Sequence, residues 1–192
     1  VRSDTSGLFV AFGKRWGELR IESGTTPLTL ACYQGDVAAI SDLLQQGAGV
    51  DQEDSDGYTP LFVASLKGHV DAACLLLDAG AAVDKPRESD WSPFGIACAL
   101  GHADVATLLL SYRADAEAAD RAAMAPLHKA AKADADEAVE ALLAAAGADA
   151  LLLQRNAAGE TPLEVAISSS SARSCVPLLL AGERRAAARR VA

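Results

Sequence analysis

One phrase of this chain recurs at a nearly constant interval, and this recurrence limits the possible folds more than any other feature. Residues 56–84 read DGYTPLFVASLKGHVDAACLLLDAGAAVD, and 33 residues later the chain reads SDWSPFGIACALGHADVATLLLSYRADAE. Five repeats can be counted from the tripeptides that begin at Thr26, Thr59, Ser92, Ala125 and Thr161, with spacings of 33, 33, 33 and 36 residues. Such a period predicts one supersecondary unit stacked on copies of itself.

The repeated phrase predicts the start and the end of a short helix. Thr or Ser is a good N-cap, and the proline that follows fits the first helical turn, where its missing N–H is not needed. Four residues after each proline stands alanine, whose small side chain lets a second helix pack closely: Ala31, Ala64, Ala97, Ala130 and Ala166. Gly35, Gly68 and Gly101 would end this first helix in a left-handed turn.

A second helix should follow each turn, with a pair of leucines on its inner face. These pairs are Leu43-Leu44, Leu75-Leu76, Leu108-Leu109, Leu142-Leu143 and Leu178-Leu179. The helix is expected to stop at Gly47, Gly80, Gly147 and Gly182, and Asp-rich stretches such as VDQEDSDG then lead to the next cap. Each unit is therefore helix, turn, helix and an extended finger.

This arrangement resembles the ankyrin repeat over about residues 25–183. The resemblance implies an all-α solenoid of stacked helix-turn-helix units with β-hairpin-like fingers projecting to one side. Residues 1–24 lack the repeat pattern and are interpreted as a non-repeat arm or hairpin, with Phe9 and Trp16 either capping the core or holding another protein. Residues 184–192 form a basic Ala/Arg tail. We interpret it either as a solvated helix end or as a segment that binds an acidic lipid surface or an acidic partner.

Three departures from the repeat fall in repeats three and four. Ala125 replaces the capping hydroxyl, and Arg113 stands where other repeats carry Gly, in a position expected to be left-handed. Repeat four also lacks the Gly-His turn, reading AKADADEAV, and its finger is longer. Sequence drift is one explanation, and a partner that clamps this region is the other.

Charge and hydropathy exclude several classes of partner. Residues 1–24 carry +1, residues 25–150 carry −13 and residues 151–192 carry +3, for a net charge of −9. An acidic body repels phosphate backbones, so nucleic acid is not an expected partner. The longest stretches without Asp, Glu, Lys or Arg have 13 residues, too few for a transmembrane helix, although peripheral contact with a membrane complex stays open.

The cysteines and the first residue bear on localisation. The four cysteines are far apart and form no CxxC pair, which favours buried free thiols in a reducing, intracellular compartment. The cytoplasm and the interior of a chloroplast or mitochondrion fit equally well. The chain begins with Val1 rather than Met, which suggests a fragment or a processed product.

The sequence offers no constellation typical of catalysis. His69, His102 and His128 occupy turn or cap positions and are predicted to be structural, and no Cys/His set has zinc spacing. The acidic run DQEDSDG does not place its carboxylates as a calcium loop requires. We therefore expect no enzyme activity, no cofactor and no metal.

The resemblance places binding residues on the fingers and on the outer positions of each first helix. The candidate contact residues are Tyr33, Glu53, Asp56, Tyr58, Leu66, Lys67, Trp91, Leu100, Met124 and Lys132. The large apolar members would form a stripe on the concave side with an acidic rim, complementary to a protein partner that presents an apolar ridge flanked by Lys or Arg. The alternative is that these side chains pack finger against finger.

Two functions from different classes remain. The favoured one is a non-catalytic interaction module, an adaptor or scaffold that captures a protein segment on the concave face. The alternative is a structural accessory subunit built permanently into a larger, possibly organellar, complex through its terminal segments.

Overall fold

The computed structural model describes residues 24–87, 91–144, 148–169 and 174–191, and every regular element within those ranges is a helix. The inner helices are α1 (Pro27–Gln34), α3 (Pro60–Lys67), α5 (Pro93–Leu100), α7 (Pro126–Ala133) and α10 (Pro162–Ser168). The outer helices are α2 (Val37–Gln45), α4 (Val70–Asp78), α6 (Ala103–Ser111), α8 (Asp136–Ala144) and α11 (Cys175–Val191), and α9 (Ala148–Leu151) is a single turn. Each inner helix contacts the inner helices of the neighbouring repeats, and each outer helix contacts the neighbouring outer helices. The predicted all-α solenoid is therefore confirmed.

The terminal arm predicted for residues 1–24 lies outside the described residues except for Gly24.

The predicted caps hold four of the five inner helices. The hydroxyl oxygens of Thr26, Thr59, Ser92 and Thr161 each accept a hydrogen bond from a backbone N–H of the first turn. Ala125 makes no such bond, as its side chain predicts. Repeat four therefore begins with a weaker helix start than its neighbours.

At the C-terminal end of its inner helix, repeat four has additional hydrogen bonds. Asp134 takes the left-handed position that Gly occupies in repeats one to three, with φ 58°. Its carboxylate oxygen Oδ1 accepts from the backbone N–H groups of Ser174 (2.9 Å) and Cys175 (3.0 Å), where α11 begins. The residue that tolerates the strained turn thus also caps the outer helix of the next repeat.

The histidines join neighbouring repeats, as the sequence predicts. His69 Nε2 lies 3.4 Å from the carbonyl oxygen of Tyr33, and His102 Nε2 lies 3.2 Å from that of Leu66. His128 Nε2 lies 3.0 Å from the carbonyl oxygen of Glu160. Burial lowers the pKa of His102 and of His128, so both rings favour the neutral form, in which Nε2–H donates to the carbonyl.

The fingers are held by hydrogen bonds rather than by strands in the described ranges. Asp54 Oδ1 accepts from the N–H groups of Asp56 and Tyr58, and Asp120 and Asn156 make the equivalent turns in repeats four and five. Neighbouring fingers are also connected, since the Asp51 carboxylate accepts from Ala82 N–H at 3.0 Å. Much of the Asp content of the fingers is therefore structural.

The last outer helix differs from the expectation that it would stop at Gly182. Helix α11 continues through that residue to Val191 and includes most of the basic tail. Gly182 is buried against the preceding repeat, where an added Cβ would lie 3.2 Å from Leu152 Cδ1 and 3.4 Å from Leu143 Cδ2. This glycine permits close packing of α11 and does not terminate it.

A left-handed backbone at Arg113 yields a stability prediction. Arg113 has φ 65°, and Gly80 has φ 87° at the equivalent position of repeat two. Arg113→Gly should raise the free energy of unfolding by up to about 1 kcal/mol, because Gly carries no Cβ penalty in this conformation. Gly80→Ala should lower the same quantity by about 1 kcal/mol. A Cβ at residue 80 meets nothing within 4 Å, so that change isolates the backbone effect. Urea unfolding followed by circular dichroism measures both, and two variants as stable as the wild type would contradict the assignment.

Candidate functional site

A cavity of about 380 Å³ lies between α5, α7 and the finger that precedes α7. It is lined by Trp91, Ala99, Asp120, Ala122, Met124, Lys129, Lys132 and Ala133. The finger before α7 contributes Asp120, Ala122 and Met124, Trp91 lies just before α5, and the other lining residues lie on α5 and α7. We call this space the repeat-three/four cavity.

A buried lysine forms one wall of the repeat-three/four cavity. Lys129 is 4% exposed, its Nζ lies 3.3 Å from Asp120 Oδ2, and the same ammonium sits 4.1 Å from the centroid of the Trp91 ring. Burial lowers the pKa of Lys129, and the Asp120 carboxylate opposes that shift. A charge this deep requires a partner, and here it has an ion pair and an aromatic face.

Both oxygens of the Asp120 carboxylate have partners in the structure. Oδ1 accepts from Ala122 N–H at 2.9 Å and from Met124 N–H at 3.0 Å, while Oδ2 faces Lys129. Opposite Lys129 stands Gly95, where an added Cβ would lie 3.1 Å from the ammonium nitrogen. The finger, the two inner helices and the Trp91 ring are therefore tied together around one ion pair.

Sequence reasoning missed Lys129 and Asp120, although the chain carries a signal for the first. The residue three positions after the proline is Leu30, Val63, Ile96 and Val165 in the other repeats. Lys129 alone breaks this apolar register. A lysine in a core register must either reach solvent or find a buried carboxylate, and here it finds Asp120.

The two candidate tyrosines are placed differently from the expected open stripe. Tyr33 is 8% exposed and Tyr58 is 6% exposed. The Lys67 ammonium lies 3.9 Å above the Tyr33 ring, and the Arg87 guanidinium carbon lies 4.2 Å above the Tyr58 ring. Because less than a tenth of each tyrosine is exposed, neither presents much apolar surface on the concave side.

A comparison with known families agrees with the stacked architecture. A family model described as "Ankyrin repeats (3 copies)" matches residues 7–87 and 94–188, which is most of the chain. The chain belongs to the ankyrin repeat family. Ankyrin repeats are generally protein–protein interaction modules, and the family is typically non-catalytic. No curated protein matches the chain.

Three of the ten candidate residues come together in this ankyrin repeat stack. Trp91, Met124 and Lys132 all line the repeat-three/four cavity. Trp91 is partly buried, and Met124 Sδ lies 3.5 Å from Asn156 Nδ2 of the next finger. Lys132 is exposed on the last turn of α7. Leu66 and Leu100 are partly buried and pack against the core.

One of the two candidate acids of the expected rim is paired with a cation that sequence reasoning did not include. Glu53 forms a 2.9 Å salt bridge with Lys85. Asp56 is exposed, but its carbonyl oxygen accepts from Arg87 Nε at 3.3 Å. These fingers belong to repeats two and three, so Glu53 and Asp56 are not part of the cavity that Trp91 and Met124 line.

The capacity of the described residues to hold a metal ion follows from their arrangement, and the state of the cysteines follows from their burial. In those residues no group of three or more His, Cys, Asp or Glu side chains is arranged to hold a metal ion. All four cysteines are free, and burial raises the pKa of Cys32 and of Cys98 to about 12, so these thiols stay protonated. No described helix is both long and apolar enough to span a membrane.

The buried ion pair leads to a prediction for stability. Lys129→Met should lower the free energy of unfolding by about 3 kcal/mol, because it leaves the Asp120 carboxylate buried without its counter-charge. Lys132→Met is the matched control, since Lys132 is exposed on the same helix and its loss should cost less than about 0.5 kcal/mol. The double variant Lys129→Met/Asp120→Asn should recover part of the loss. Urea unfolding measures all three, and a Lys129→Met cost below that of the control would show that the pair does not hold the cavity together.

Proposed function

We propose that this chain is a non-catalytic protein-interaction module that captures a protein segment on its concave face, centred on the repeat-three/four cavity. The single observation that carries the proposal is the joint lining of one cavity by Trp91 and Met124, on the finger and inner-helix side where the ankyrin resemblance implies binding residues. A Trp ring in a concave, mostly apolar pocket is a favourable anchor for a partner side chain.

The preorganised walls of the cavity support this proposal. The Lys129–Asp120 pair connects the finger to α7, and the finger turn is closed by the hydrogen bond from Asp120 N–H to the carbonyl oxygen of Met124. A cavity with walls held in this way loses little conformational entropy on binding. The departures of repeat four from the repeat pattern thus coincide with the place where a partner would clamp.

The polarity of the concave face suggests how the segment would run. Asp56 is exposed at the repeat-two end, and we propose that the basic flank of the partner lies there. The apolar ridge of the partner would then sit between Leu66 and Trp91, with Leu100 and Met124 beneath it. Tyr33, Tyr58 and Lys67 would support this surface from below rather than contact the ridge.

We also propose an intracellular, reducing location. The support is that all four cysteines are free and that Cys32 and Cys98 are buried in the core as neutral thiols. The cytoplasm and an organelle interior remain equally suitable.

A second candidate, a fixed subunit of a larger complex, is favoured by the far end of the stack. Ile167 on α10 is 64% exposed, although the equivalent residues Cys32, Ser65, Cys98 and Ala131 are all buried by the next repeat. Leu180 on α11 is also exposed, at 38%. Apolar residues in a stacking position are suited to a permanent protein contact.

Two surface variants distinguish the candidates. Tagged chain purified from its source should lose its partner when the cavity is altered by Trp91→Ala/Met124→Ala. It should keep that partner when the stack end is altered by Ile167→Ala/Leu180→Ala. Circular dichroism and urea unfolding control for loss of the fold. Mass measurement and mass spectrometry of the purified material report the result.

The opposite pattern would overturn the adaptor proposal. If a large particle survives the cavity variant and dissociates with the stack-end variant, the chain is a structural subunit held through α10 and α11. If both variants retain every partner, neither surface is the contact.

A further inference from the structure

The charges around the repeat-three/four cavity specify its ligand more narrowly than its shape does. Three ionisable side chains line it, namely Asp120, Lys129 and Lys132. Asp120 and Lys129 neutralise each other at 3.3 Å. Lys132 is exposed and forms no ion pair within the described residues. The cavity therefore carries one uncompensated positive charge on a chain whose net charge is −9.

No carboxylate at the cavity is available to receive a basic ligand. Asp120 Oδ1 already accepts from Ala122 and Met124 N–H, and Oδ2 pairs with Lys129, so the charge of this carboxylate is already compensated. On the next finger, Glu160 does not line the cavity, and its Oε2 accepts from Asn156 Nδ2 at 3.1 Å. A lysine or arginine entering here would meet the uncompensated ammonium of Lys132, while a carboxylate would pair with it.

The apolar part of the lining determines the other half of the ligand. Trp91, Met124 and the three alanines at 99, 122 and 133 offer a surface for one large apolar side chain. A volume of about 380 Å³ lies in the lower part of the range of small-ligand pockets, which suits one anchor residue rather than a long insert. The charge and the apolar surface belong to the same cavity, since Lys132 lines it together with Trp91, Met124 and Ala133.

From this we infer that the cavity selects a protein segment in which a large apolar residue is flanked by Asp or Glu, with the apolar side chain on Trp91 and Met124 and the carboxylate on Lys132. This inference rests on the proposed function, because it assigns partner chemistry to the same concave surface. It places the acidic flank of the partner at the repeat-four end, opposite the basic flank proposed for the repeat-two end.

Selection from a display library of short random peptides tests the inference on the full chain. Enriched peptides should pair an aromatic or large aliphatic residue with Asp or Glu. A synthetic peptide with that acid changed to Asn or Gln should bind about two- to five-fold more weakly, and added salt should reduce the difference.

Charge reversal provides the sharper arm of the experiment. Lys132→Glu should weaken the binding of the acidic peptide. It should strengthen the binding of a second version of the peptide, in which the acid is replaced by Lys. Arg185→Glu is the matched control, because Arg185 is an exposed cation on α11 away from the cavity, and it should change neither affinity. Fluorescence polarisation with labelled peptides measures each affinity.

The outcomes separate the inference from the proposed function. Peptides that lose binding with Trp91→Ala but show no preference for acids, or that prefer bases, would overturn the inference and leave the concave-face proposal standing. Peptides whose binding ignores Trp91→Ala, or a library that yields no binder, would overturn both. Acid-containing peptides that depend on both Trp91 and Lys132 would support both.

Discussion

The whole stack depends on how closely its inner helices approach one another. Every inner helix carries alanine at the same turn, four residues after its proline, and all five are buried: Ala31, Ala64, Ala97, Ala130 and Ala166. No single helix pair could bury its apolar face alone, so the close contact between successive pairs supplies the core. The caps, the left-handed turns and the inter-repeat histidine bonds all serve to keep the helices at that separation.

Repeat four shows how the stack absorbs polar residues without losing this contact. Lys129 occupies an apolar register, and the finger supplies Asp120 to pair with it. Asp134 accepts a left-handed backbone and caps α11. The Lys129–Asp120 pair joins a finger to α7 beside the cavity that Trp91 and Met124 line. Repeat four, which departs most from the repeat pattern, therefore contributes to the repeat-three/four cavity.

The repeat units, their caps and the histidine roles could be predicted from the sequence because each depends on residues within one or two adjacent repeats. The continuation of α11 through Gly182 could not, since the reason is a tertiary contact with Leu143 and Leu152. The candidate site was predictable only in part. The pattern located Trp91 and Met124, but it could not show that Lys67 covers Tyr33 or that Lys129 pairs with Asp120, because the three-dimensional packing of the side chains decides both.

The central claim is that partners contact the concave cavity rather than the outer helices. Site-specific photo-crosslinking in cells of the source organism tests it directly, with a photoreactive phenylalanine analogue placed at Met124 or, as the comparison, at the exposed Ser111 of outer helix α6. If partners bind at the cavity, position 124 gives a crosslinked species larger than the chain and position 111 gives none. Crosslinking from position 111 with none from position 124 would contradict it.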